Sequence, residues 1–265
     1  SGELTPPVFN PVLEYLDNDG DVYAGDYDDP GYNELETNGY SATLTWTFDN
    51  FTLTSITDYS TVKRKYIEDS DASPAPVFNF YLNTDAEQTS QEFRLSGDTE
   101  NFNWVTGVYY MGLDLDDSNG AITDPFVGPA PTPGAEAGLQ NPYTSNLDSY
   151  SIFGEIDYAL SEQLSMVLGV RYIEDEKDFE YSTNAVEFLD PEKRNWDAKS
   201  NVQQLAELAS YKGNRNDGDW SGRAVLNYDV SDELMVYGSW NLGVRGGGYN
   251  APIFPLSPPL DYNDA

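Results

Sequence analysis

The sequence predicts an all-β fold, an antiparallel up-and-down transmembrane β-barrel of which about eight strands are present. Three observations carry that reading. Five segments hold an aromatic pair eight residues apart: Tyr40/Phe48, Phe51/Tyr59, Phe102/Tyr110, Tyr150/Tyr158 and Trp220/Tyr228. Side chains alternate across a strand, so an even spacing puts both members of a pair on one face. At roughly 3.3 Å per residue each pair spans about 26 Å. A strand tilt of about 40° lowers that to roughly 20 Å of height, close to the apolar band between the aromatic girdles of an outer-membrane barrel. The second observation is that no residue between the members of a pair, on the same face, is charged. The third is an alternation of short turns with long polar connections, as expected where turns lie on one side of a membrane and loops on the other.

The elements follow in order. Residues 1–37 hold ten acidic residues and no Lys or Arg, and read as an acidic external loop. A strand from about Asn38 presents Ala42, Leu44 and Trp46 between its aromatics. After a turn at Asp49 and Asn50, the next presents Leu53, Ser55 and Thr57, with Asp58 on the opposite face. A connection over about 67–86 leads to a weaker strand near 87–96, with Phe93 and Leu95 outward and Glu92 and Arg94 inward. Gly97 to Glu100 supply the next turn, and Trp104, Thr106 and Val108 the next neutral face. Beyond a connection over about 117–145, Ile152, Gly154 and Ile156 face one way and Glu155 and Asp157 the other. Ser161 and Glu162 turn the chain into Leu164, Met166, Leu168, Val170 and Tyr172, with Arg171 opposed. The largest connection, about 185–218, contains a helical window at 201–212, where Leu205, Ala206, Leu208 and Ala209 fall at near-helical spacing. Gly222, Ala224 and Leu226 follow, with Arg223 opposed; then a turn at Ser231 and Asp232, and Leu234, Val236, Gly238, Trp240 and Leu242. Residues 251–265 read as the start of a further external loop.

Composition narrows the function. The chain has 265 residues, no Cys, no His and a formal charge of −33. Without His there is no Ser-His-Asp triad and no imidazole metal site in these residues. The acid excess opposes nucleic-acid binding, which needs basic patches. Carboxylates are so plentiful that no single pair marks a glycosidase, and no catalytic residue or metal ligand is assigned. No apolar run is long enough for a transmembrane helix. No apolar leader precedes Ser1, and both ends are loop-like, which reads as two cuts through external loops of a larger barrel. The run Asp17, Asn18, Asp19, Gly20, Asp21 suggests a loop-bound Ca2+, yet its glycine is misplaced for a helix–loop–helix calcium site.

Several stretches resemble the TonB-dependent outer-membrane receptors. The most specific is YGSWNLGVRGGGYN at 237–250; others are SQEFRLS at 90–96, NWVTGVYY at 103–110, LGVRYIEDEKDF at 168–179 and DWSGRAVLNY at 219–228. Val244 and Arg245 stand where Phe and Lys are usual. The resemblance implies a 22-stranded barrel in the bacterial outer membrane, with residues 38–250 as part of its wall and the plug domain absent from this chain. It further implies TonB-coupled import of a scarce nutrient of the siderophore-iron, cobalamin or saccharide class. Its partners would be outer-membrane lipid, the nutrient ligand and, through the plug region, TonB. A passive porin or structural barrel protein is the alternative, and a secreted acidic β-domain binding carbohydrate with calcium a third. On the face away from lipid, Asp58, Arg94, Glu155, Asp157, Arg171 and Arg223 are the candidates to meet lumen or plug. Trp196, Tyr143 and Tyr211 are loop aromatics able to stack on a ligand.

Overall fold

A computed structural model describes residues 9–10, 15–16, 25–75, 77–123, 135–188, 202–249 and 261–262. Two-residue strands β1 (Phe9–Asn10) and β2 (Tyr15–Leu16) pair with each other. The eight-stranded sheet comprises β3 (Tyr32–Thr47), β4 (Thr52–Asp69), β5 (Phe78–Asp98), β6 (Phe102–Thr123), β7 (Glu136–Ala159), β8 (Leu164–Phe188), β9 (Val202–Ser231) and β10 (Leu234–Leu242). β11 (Gly248–Tyr249) pairs with β12 (Asp261–Tyr262). Each strand of the large sheet pairs antiparallel with its neighbours in sequence, in the order β10-β9-β8-β7-β6-β5-β4-β3. This is the predicted up-and-down order, including the weakly signalled β5.

The turns at one end are short and are closed by local hydrogen bonds. The Phe48 amide donates to Phe51 O at 2.9 Å, closing the first hairpin. In the second, the Thr99 hydroxyl accepts from the Phe102 amide at 3.2 Å. In the third, the Ser161 hydroxyl accepts from the Leu164 amide at 3.1 Å. The β5 strand runs on to Asp98, so its turn begins at Thr99 rather than Gly97.

At the other end the strands reach much farther than the apolar pattern indicates. β3 begins at Tyr32, within the stretch read as loop, and β9 is 30 residues long. About 9–11 residues suffice to span a bilayer as a tilted strand. The described strands leave only 70–77, 124–135 and 189–201 between them. Beyond the neutral segments backbone pairing continues without the alternation that reveals it.

The helical window is overturned. Among the described residues there is no helix, and residues 202–212 belong to β9. Thr183 pairs with Ala209 and Asn184 with Glu207; Ala185 pairs with Ala206 and Val186 with Gln204. Leu208 and Leu205 are therefore the extra residues of two bulges. Each bulge shifts the two-residue period by one, which leaves Leu and Ala at a spacing that imitates a helix. Trp196 and the Asp17 to Asp21 run lie outside the described residues.

A compact core forms at this far end. Ile67, Tyr81, Ile122, Val186 and Phe188 are buried together, with Tyr32 and Val202 against them. Entry into β3 depends on Gly31, whose φ of 63° suits glycine, and whose absent Cβ would sit 2.8 Å from Ile67 O.

Candidate functional site: the charged face of the wall

Register assigns the two faces. In the lower zone Phe48 stacks on Phe51 at 4.6 Å and Phe102 on Tyr158 at 6.4 Å between ring centroids. In the upper zone Tyr110 meets Tyr150 at 5.2 Å and Tyr172 meets Trp220 at 5.0 Å. The aromatic pairs thus join their neighbours across hairpins into two rows. Between the rows the register aligns Leu95, Thr106, Gly154, Val170, Gly222 and Leu242, none charged. Only this face suits hydrocarbon, where an Arg or Lys at mid-depth costs about 2–4 kcal/mol. The opposite face is the one the sequence assigns to the lumen.

Two upper tyrosines rise over glycines. Tyr110 rises over Gly112 and donates to Asp148 Oδ1 at 2.7 Å. Tyr172 rises over Gly218, where a Cβ would lie 2.5 Å from its hydroxyl. Glycine at both places leaves room for a ring anchored in the interface.

All six sequence candidates lie on that opposite face. Four of them, Arg94, Glu155, Arg171 and Arg223, line one open hollow of about 700 Å³, with Phe153 and Asn241. Asp58 stands apart on β4, opposite Ser41 and Ser90. Asp157 stands two residues nearer the short turn, opposite Asn103 and Val167. Within the hollow two of the arginines are engaged. Arg223 makes a two-pronged pair with Glu155 at 2.6 and 2.7 Å, and Arg94 Nε donates to Glu92 at 2.7 Å. Gly169 lies beneath the first pair, since a Cβ there would meet Glu155 Oε2 at 2.8 Å.

Arg171 differs. Its guanidinium lies 5.4 Å from the Tyr109 ring centre and 5.8 Å from that of Phe153. Its Nε is buried without a hydrogen-bond acceptor among the described residues. Phe153 reaches this position because its cross-strand partner is Gly107, where a Cβ would meet the ring at 2.6 Å. Glu92, Tyr109 and Phe153 were not among the sequence candidates. Their lumen parity was readable, but which arginine each would approach depends on register.

Above the hollow the lumen face becomes aromatic. Tyr143 and Tyr211, expected in loops, instead lie on β7 and β9 and converge on Phe179, at 6.1 and 6.3 Å. Beside them Arg215 holds Asp217 through hydrogen bonds of 2.5 and 2.7 Å, which keeps that carboxyl below its ordinary range.

Asp117, on the same face, is buried, which pushes its carboxyl above the ordinary range. The hydroxyl of Thr84, donating to it at 2.6 Å, offsets this in part, as does Tyr143. A folded-state pKa above the unfolded one favours folding at low pH, and that stability is lost as pH rises through the folded value. Amide protection around Thr84 and Asp117, corrected for intrinsic exchange, is therefore expected to fall over that rise. Asp117→Asn should flatten the profile and raise protection at neutral pH, as hydrogen–deuterium exchange would show.

A family model described as TonB dependent receptor-like, beta-barrel, matches residues 3–263. Among solved structures, the chain is similar to the ferric yersiniabactin uptake receptor FyuA from Yersinia pestis, with a TM-score of 0.69 and 15% identity, over 88% of this chain and 32% of that one. It is also similar to the siderophore receptor PiuA from Acinetobacter baumannii, with a TM-score of 0.56 and 15% identity, over 81% of this chain and 33% of that one. The chain spans about a third of the length of these structures. At that identity the likeness concerns the fold.

Proposed function

This chain belongs to the TonB-dependent receptor β-barrel family, and from that premise we propose that it forms part of the wall of a bacterial outer-membrane receptor for energised nutrient import. The single observation that carries the reading is the two-faced wall: a neutral face between two aromatic rows, and an opposite face where charges gather. Of the siderophore-iron, cobalamin and saccharide classes we favour siderophore-iron, because the similar solved structures bear siderophore-receptor and ferric-uptake names. β3 and β10 each pair on one side only in the large sheet. In hydrocarbon such edges must be covered, which supports further strands completing the barrel around a plug.

The test is uptake of labelled ferric siderophores by cells carrying the full-length receptor. Uptake should vanish when the proton-motive force is dissipated or TonB is removed. Uptake that persists would instead make this a passive porin, and no uptake of any ferric siderophore would remove the favoured class.

Arg171 is the side chain of this wall best placed to meet a plug carboxylate. A hydrogen bond to a charged group contributes about 1.5–3 kcal/mol. Arg171→Met should therefore loosen the resting plug and raise passive entry of a bulky antibiotic by on the order of tenfold, measured as susceptibility of cells bearing the variant. Arg223→Met, which leaves Arg171 in place, should raise it far less.

A further inference from the structure

Past β10 the chain does not continue up the wall. Residues 243–249 turn across the lumen face of β8 and β9, where the Tyr249 ring stacks on Phe179 at 4.9 Å and 11°. It also tilts against Tyr211 at 5.7 Å and 53°. The Lys177 ammonium donates to the Gly247 carbonyl. The glycines let this strap lie flat: a Cβ on Gly246 would meet Asp175 Oδ2 at 2.6 Å, and one on Gly247 would meet the Arg215 guanidinium. Under the strap Phe179 is buried, at 4% exposure, although it stands on a face of the wall open to the lumen.

We propose that Phe179, Tyr211 and Lys177 form a binding seat for a planar aromatic group bearing a hydrogen-bond acceptor, and that Tyr249 is its built-in occupant. The proposal rests on the reading of the lumen face as the ligand's path. One movement of the strap would do two things at once. It would uncover the flat face of Phe179, and it would take away the carbonyl that Lys177 now holds. A ligand supplying both a ring and an acceptor replaces both contacts; a non-planar group with an acceptor replaces only the second. Aromatic pairs favour offset stacking over a face-to-face sandwich, and Tyr249 stacks on Phe179 while only tilting against Tyr211. Lys177 and Arg215 are balanced by Asp175 and Asp217 nearby, so the seat selects planarity and an acceptor rather than a net charge.

An internal occupant lowers apparent affinity by the fraction of time the seat is open. The test uses the intact receptor in detergent, with benzoate as the aromatic probe and cyclohexanecarboxylate as its non-planar counterpart, read by ligand-observed NMR. Tyr249→Ala should tighten benzoate binding about two- to tenfold and leave cyclohexanecarboxylate unchanged. Tyr249→Phe, which keeps the ring, should match the parent. Phe179→Leu added to Tyr249→Ala should abolish the gain. Unchanged or weaker benzoate binding in Tyr249→Ala overturns the proposal, as does an equal gain for cyclohexanecarboxylate. The measurement needs neither TonB nor cells: a gain without uptake leaves the seat standing and removes the import reading, and uptake without a gain does the reverse.

Discussion

Val170→Arg is expected to destabilise the receptor by about 2–4 kcal/mol in a bilayer, while Val167→Arg on the same strand changes stability by less than about 1 kcal/mol. Val170 lies between the aromatic rows, one outward position below Tyr172 and paired with Gly154 and Gly222 on either side. Neither neighbour has a side chain to cover it, and it is 52% exposed. An arginine there has no carboxylate on its own face within the membrane zone. It must reach toward an interface or thin the bilayer around itself. Val167 lies three residues away but on the lumen face, opposite Asp157. An arginine there meets water and an opposite charge. Denaturant titration of the full-length receptor in lipid vesicles would measure both. Equal losses in the two variants would refute the face assignment on which the reading of the wall depends.

The same contrast explains how much of this molecule is legible in its sequence. Within the membrane zone, lipid and lumen impose opposite demands on alternate residues, so strand, register parity and face could all be read from residues such as Leu168, Arg171 and Val170. Above the zone that demand ends. Residues 202–218 carry Gln203, Glu207, Lys212, Arg215 and Asp217 within one strand, and polar side chains on both faces read as loop. The bulges at Leu205 and Leu208 then add a false helical period. The site was legible to the same depth. All six charged candidates lie on one face because parity is local information. Which of them share a hollow is set by pairings up to 68 residues apart in sequence, as between Glu155 and Arg223. The Tyr249 contact is more remote still, since it depends on residues 243–249 leaving the sheet, and the glycines that permit it look like any turn.

Tyr81→Ala is expected to cost about 3–5 kcal/mol, the range for removing a large aromatic from a core, and the loss should be confined to the part of the wall above the membrane. Tyr81 is 1% exposed and packs with Ile67, Ile122, Val186 and Phe188. Its ring lies over Gly120, where a Cβ would approach the phenol oxygen to 2.6 Å, and its hydroxyl donates to Leu139 O at 3.2 Å. Burial raises the phenol's pKa, so it remains a donor at any pH the protein tolerates. Tyr81→Phe removes only the hydrogen bond and should cost about 0.5–1.5 kcal/mol. Hydrogen exchange on the full-length receptor should show faster opening of the upper parts of β5, β6 and β8 in Tyr81→Ala, with the girdled segments unchanged. Uniform loss across the strands would mean that the wall unfolds as one unit and that the upper core is not separable. The consequence reaches the opposite face of the sheet. Val186 and Phe188 continue the strand that carries Phe179 and Tyr181, so a core that loosens on one face also releases the aromatic residues on the other. The upper core therefore holds the long strands rigid where a ligand entering from outside would first meet the wall.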